Sequence, residues 1–154
     1  EICQRHIAEA VSLLMLISRS ERQMKALDFD LPYGVSANAA YVRTMRGIAL
    51  SKTGRAYRAE VGRIIKELGI DKNVECRLEL TVELYCPDKR RRDIDNLIKP
   101  LLDALEAANV FVNDEQFDSI HITRAGYEKP GRMRVTIKER VEFDSLNWAL
   151  QNCS

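Results

Sequence analysis

The segment Asp88-Lys89-Arg90-Arg91-Arg92-Asp93-Ile94-Asp95-Asn96-Leu97-Ile98-Lys99 joins a basic run to a D-x-D-N step, with a lysine four residues beyond the second acid. Two carboxylates two residues apart do not share a helix face. At a strand-to-helix junction, where the backbone is not yet helical, Asp93 and Asp95 can both turn toward one point. Hard cations such as Mg²⁺ are held by a few carboxylates plus waters and phosphate oxygens, so the chemistry open to this pair is metal-assisted attack on a phosphate. Lys99 follows Asp95 at the spacing that brings two side chains to the same helix face. It is either half of an i,i+4 salt bridge or an ammonium beside a metal, stabilising charge that develops on the phosphate.

A second acidic turn, Val110-Phe111-Val112-Asn113-Asp114-Glu115-Gln116, begins eleven residues after Lys99. A helix packed back along a sheet would return Asp114 near the end of the preceding strand. Spacing does not prove that proximity, and taken alone Asp114 and Glu115 read equally as turn residues.

Charge is distributed unevenly for a chain of 154 residues with a net charge of +1. Residues 41–66 hold seven Lys or Arg (Arg43, Arg46, Lys52, Arg55, Arg58, Arg63 and Lys66) against the single acid Glu60, and Lys89 to Arg92 form a second basic block. Such segments neutralise nucleic-acid phosphates with counterion release, or are simply solvated faces. Cys3, Cys76, Cys86 and Cys153 show no CxxC or His-spaced pattern, which argues against a zinc site or a disulfide framework and for reduced thiols in the cytoplasm. His6 and His121 are isolated and read as non-ligands. The apolar stretch 10–17 falls well short of the roughly 20 residues that span a bilayer, and Arg19, Glu21 and Arg22 follow it, so no membrane span and no export signal are expected.

The elements that must position these groups are legible in outline. Residues 1–23 read as a helical appendage, 26–31 as a short strand, and Pro32, Gly34 and 36–38 as a loop. Residues 41–50 suggest a hairpin around Gly47. Tyr57, Val61, Ile64, Ile65 and Leu68 recur at helical spacing, with Ser51 or Thr53 as N-cap and Gly69 as stop. Residues 74–85 alternate as one long half-buried strand. Residues 93–108 carry the stripe Ile94, Leu97, Ile98, Leu101, Leu102 and Leu105, with Pro100 predicting a bend or a broken first turn. Strands at 119–127 and 132–138 follow, and the tail 141–154, with Trp148 as a packing residue, adds a short helix. The order predicts an α+β fold, a mixed sheet with two main helices packed on it, divided as an appendage (1–23), one domain (24–140) and a tail (141–154).

With those residues in view, RRRDIDNLIKPLLDALEAANVFVNDEQ resembles the signature of the RusA-type Holliday junction resolvases: a basic run, D-x-D-N-x-x-K, a helix with Asp-Ala-Leu, and a D-D-x-Q turn. Ser51 to Arg58 resembles the family's serine, glycine and tyrosine-arginine approach to its first helix, and Leu31-Pro32 with Ser36-Ala37-Asn38 its P-x-x-S-x-N loop. The resemblance implies an Mg²⁺-dependent (or Mn²⁺-dependent) endodeoxyribonuclease that acts on four-way junction DNA as an intertwined homodimer, each subunit cutting one strand. It requires no small-molecule cofactor. It assigns Asp93, Asp95 and Asp114 as metal ligands, Lys99 as the essential lysine, and Lys89, Arg90, Arg91 and Arg92, with Arg43, Lys52 and Arg55, as DNA contacts.

The sequence departs from that pattern in three places. Asn113 stands where the first acid of the D-D pair is usual, Tyr33-Gly34 replaces a proline, and residues 1–23 have no counterpart. Asp103 and Asn96 read either as support for the site or as surface. Tyr41 and Tyr57 read as core or interface residues, with base stacking as the alternative. The rival readings of function are a branched-DNA binder that does not cut, and a nuclease for flaps or RNA.

Overall fold

The computed structural model describes residues 24–140. The appendage 1–23, the tail 141–154 and the residues assigned there, among them His6 and Trp148, lie outside them. Four strands form the main sheet in the order β1 (Leu27–Pro32), β6 (Arg132–Glu139), β4 (Leu78–Cys86), β5 (Phe117–Tyr127). β6 is antiparallel to both neighbours, whereas β4 and β5 run parallel, so the sheet is mixed as expected. β2 (Tyr41–Thr44) and β3 (Gly47–Leu50) form a separate two-stranded hairpin.

Alternation decides which face of the sheet is covered. Leu78, Leu80, Val82 and Leu84 of β4 and Met133, Val135 and Ile137 of β6 are almost wholly buried, joined by Phe29 and Leu31 of β1. Helices α2 (Lys52–Leu68) and α3 (Ile98–Ala107) contribute Tyr57, Val61 and Ile65, and Leu101, Leu102, Ala104 and Leu105, to the same core. Each large aliphatic side chain buried here contributes on the order of 1.5–3 kcal/mol of transfer free energy. The partners of these residues on alternate positions, Glu79, Thr81, Glu83 and Tyr85, stay on the uncovered polar face. β1 and β5 are the edges, and β5 is the open one: none of its residues is buried, and Ile120 and Tyr127 are exposed.

α2 is bounded as its sequence requires. Ser51 Oγ accepts from Gly54 N at 2.9 Å, and Gly69 takes the left-handed conformation (φ 64°) at the C-terminus. Gly54 packs so closely on the Ala40 carbonyl that a Cβ there would collide with it. This contact seats α1 (Ala37–Ala40), a single helical turn, against the start of α2.

Three expected boundaries are corrected. Residues 36–38 do not form an open loop: the amides of Ala39 and Ala40 both donate to Ser36 O, beginning α1. The long strand starts at Leu78, although alternation continues back to residue 74. The backbone of Val74 is committed elsewhere, its N–H donating to Val110 O and its carbonyl accepting from Val112 N. Regular α-helix begins at Ile98 rather than 93, after a 3₁₀ turn at Asp95–Leu97. Pro100 therefore falls in the first turn, where a missing N–H costs little. None of the helices among the described residues is long and apolar enough to cross a membrane.

Candidate active site

α3 carries Lys99 in its first turn and points it at two acids. Lys99 Nζ lies 2.7 Å from Asp103 Oδ1, one helical turn on, and 3.1 Å from Asp114 Oδ2 across fifteen residues of sequence. Its ion pairs are with these two and not with Asp95, because the 3₁₀ turn changes the angular step between positions 95 and 99. The hydrogen bond to Asp103, then that to Asp114, raises the Lys99 pKa well above its ordinary value, so the ammonium stays charged at any working pH. Asp103 also accepts a hydrogen bond from the Tyr41 hydroxyl. Burial, followed by that bond, pushes Tyr41 up to about 12.

Asp114 is presented by a 3₁₀ turn (Asp114–Gln116) that is locked into the body of the domain. Asn113 Oδ1 caps it by accepting from Glu115 N at 2.9 Å. The buried Gln116 amide is fully satisfied. Its Oε1 accepts from Val112 N (2.9 Å) and Asn113 N (2.8 Å), while its Nε2 donates to Val74 O and Cys76 O, both at 2.8 Å. The turn precedes β5, whose Phe117 pairs in parallel register with Leu78. Asp114 therefore sits beside the start of β4, where a helix returning along the sheet delivers it, and not near the strand's end as the sequence reading expected.

Asp93 and Asp95 occupy the stretch between the basic block and α3. Both are exposed, and neither carboxylate has an ion pair or hydrogen bond among the described residues. Asp93 lines a cleft of about 370 Å³ with Tyr33, Ser36, Arg92 and Asn96. Among the described residues no three His, Cys, Asp or Glu side chains stand together as a ready cage for a metal ion: the structure brings Lys99 to Asp114 and does not bring Asp93, Asp95 and Asp114 together as a ligand set. Their chemistry still fits a hard cation. They offer only carboxylate oxygens, two of them uncommitted, and Mg²⁺ takes one or two carboxylates and fills its remaining positions with water and phosphate.

The basic residues divide by how tightly they are held. Arg92 grips Asp88, with Nη2 to Oδ2 at 3.0 Å, and its guanidinium lies 5.8 Å from the Tyr33 ring centroid. The Arg92 bond and the Arg90 N–H hold the Asp88 carboxyl well below the usual carboxylate range. Arg92 O accepts from Arg124. Lys89 sits 5.9 Å from the Tyr127 ring centroid, and Lys89, Arg90 and Arg91 are exposed. Arg43, Lys52 and Arg55 lie exposed on the hairpin and the start of α2, where Arg55 donates to Leu50 O at 2.8 Å.

The sequence reading left Asp103 open between support for the site and surface, and what the structure adds is its ion pair with Lys99. Tyr41, read as a core or interface residue, is 62 residues from Asp103, and nothing in the sequence tied the two together. Gln116 stood in the sequence as the last residue of the D-D-x-Q turn; that it closes a capping box with Asn113 and clamps residues 74 and 76 comes from the structure.

The family model described as "Endodeoxyribonuclease RusA" matches residues 32–138. The crossover junction endodeoxyribonuclease of Enterobacteria phage HK97 is 39% identical over 116 residues, covering 75% of this chain and 97% of the relative. Those of Escherichia coli K12 and Enterobacteria phage 82 are each 34% identical over the same length and shares. Among solved structures, the periplasmic domain of Helicobacter pylori MotB is similar only at a TM-score of 0.39 and 14% identity, over 84% of this chain and 97% of that one, which carries no argument. By sequence signature and family match together, this chain belongs to the RusA family of endodeoxyribonucleases.

Proposed function

We propose that this chain is a crossover junction endodeoxyribonuclease that resolves four-way DNA junctions in recombination and repair, cutting symmetrically as a homodimer in the cytoplasm. The observation that carries the reading is the Lys99–Asp114 contact at 3.1 Å. It joins two motifs, D-x-D-N-x-x-K and N-D-E-Q, whose nearness the sequence alone left open.

Asp93, Asp95 and Asp114 would hold Mg²⁺ or Mn²⁺, which when bound activates water and neutralises phosphate charge. Asp114 is delivered on a turn with little freedom, and Lys99 offers a permanent positive charge next to it. An ammonium fixed before reaction stabilises developing phosphate charge without reorganisation at the moment of attack. The exposed Lys89, Arg90 and Arg91, together with Arg43, Lys52 and Arg55, would hold the junction backbone. Arg92, tied to Asp88, shapes the cleft that Asp93 lines. Two related subunits suit a four-way junction, because a symmetric substrate wants two related sites.

An end-labelled four-way junction incubated with the protein and Mg²⁺ tests this. Paired nicks placed symmetrically, abolished by chelator, are the expected result. A retarded but uncut complex in both Mg²⁺ and Mn²⁺ would leave only a branched-DNA binder. Preferential cutting of flaps or RNA in competition with the junction would reassign the substrate.

A further inference from the structure

Lys99 is more exposed than a residue with a fixed task would be expected to be, at 60% of its side chain, whereas the Asp103 side chain that grips it is only 18% exposed. An ion pair this open adds little to stability, so stability does not account for the carboxylate beneath it. The order of lysine then acid at i,i+4 is also the weaker one on a helix. Yet Asp103 is itself pinned by the Tyr41 hydroxyl.

Tyr41 is held from several sides. As the C-cap of α1 its N–H donates to Ala37 O, in the first residue of that turn, and it pairs with Leu50 across β2 and β3. The residue before it, Ala40, accepts from Ser51 N at 2.8 Å, while Ser51 Oγ donates to Ala39 O at 2.6 Å and caps α2. Three elements thus converge to fix one phenol, and that phenol fixes one carboxylate. We propose that Tyr41 and Asp103 are positioning residues that hold the Lys99 ammonium in place beside Asp114.

The division of labour follows from the two acids' situations. Asp114 contacts Lys99 through Oδ2 alone, so on the nuclease reading its carboxylate is shared between Lys99 and whatever the site binds. Asp103 has its other oxygen committed to Tyr41 and remains with Lys99 throughout. Without it, a four-carbon stem with this much exposure would scatter among rotamers and lose its aim. The hairpin that bears Tyr41 also carries Arg43, so a backbone contact there bears on the element that orients Lys99.

This inference rests on the nuclease reading, and its test separates the two. Asp103→Ala and Tyr41→Phe are made in the native chain and in a Lys99→Met background, and single-turnover junction cleavage and junction affinity are measured. Asp103→Ala is expected to slow cleavage about 10- to 100-fold and Tyr41→Phe about five-fold, both with unchanged affinity. Asp103→Asn, which keeps an acceptor for Tyr41, recovers part of the rate. In the Lys99→Met background neither change has a further effect, which a merely structural role would not produce. Independently of activity, the Lys99 ammonium ¹H–¹⁵N signal, sheltered by its two acids, is expected to vanish in Asp103→Ala and weaken in Tyr41→Phe. Equal losses in both backgrounds, or a native rate with the ammonium signal intact, would overturn the positioning role. If the native chain cuts no junction, the nuclease reading fails instead, and the ammonium signal still judges the positioning. Should Asp103→Ala not fold, Tyr41→Phe and Asp103→Asn decide alone.

Discussion

Asp114 arrives on a turn in which Asn113 and Gln116 engage the free backbone groups, and it meets a lysine already held by Asp103. Asp93 and Asp95, a few residues before that lysine, lie on an exposed stretch with no partner among the described residues. On the proposed reading, one half of the candidate site is built into the domain and the other is left for what it binds to organise. The difference shows where each half derives its geometry. The tethered half uses hydrogen bonds to β4's approach and to the hairpin, and so changes there are felt in stability. The open half has no such support to lose, so changes there are felt in chemistry alone.

The sharpest way to break this contrast is Asp95→Asn, with Asp93→Asn beside it. Cleavage is expected to fall by at least about 100-fold through loss of a metal ligand, while urea unfolding shifts by no more than about 0.5 kcal/mol. Full activity in Asp95→Asn would remove the metal assignment. On the tethered side, Gln116→Ala strands the Asn113 N–H and the Cys76 carbonyl and leaves Val112 N and Val74 O only their bond to each other. Its expected cost is about 2–4 kcal/mol in the same unfolding measurement, with cleavage reduced because Asp114 loses its mount. A stability near that of the native chain would show that the turn is held by something else.

A subtler probe is alkaline stability. Tyr41 is neutral in the fold and its pKa is raised from 10.0 to about 12. A group whose folded value lies above its unfolded one contributes stability that is complete below the unfolded value and is lost as pH rises through the folded one. The stability difference between the native chain and Tyr41→Phe should therefore be constant up to about pH 10 and shrink between there and about pH 12. A difference that grows over that range has the wrong sign for a phenol donating to Asp103. The smallest effect is expected of Asn113→Asp. Asp caps a helical turn as well as Asn does, so unfolding should move by less than about 0.5 kcal/mol, while the added carboxylate beside Asp114 should lower the divalent-ion concentration that half-saturates cleavage.

The sequence made the same distinction less evenly. α2 was readable to within a residue because its signals are local: Ser51, Gly69 and an apolar stripe between them. Asp93, Asp95 and Lys99 were readable as a chemical set for the same reason. The start of β4 was misplaced because residues 74–77 keep the strand's alternation while their backbone bonds go to residues 110–112 and to Gln116, which only the tertiary fold reveals. The place of Asp114 needed the parallel register of β4 and β5, a non-local fact, and Tyr41 needed a hairpin docked 62 residues from its partner. Spacing reports what one helix or strand can bring together, and it is silent about which ends of the sheet coincide.

That register has a consequence for how the molecule is made. β6, the final strand of the described chain, lies between β1 and β4. On the ribosome β1 emerges first but has no neighbour to pair with until residues 132–139 have cleared the exit, and β4 and β5 wait with one side of their pairing missing. The usual advantage of vectorial synthesis, folding the N-terminal part early, is withheld from this sheet. Until β6 is made, β1 has no partner and the β4–β5 pair lacks its antiparallel neighbour, and any truncation that removes β6 removes the middle of the sheet and not its margin.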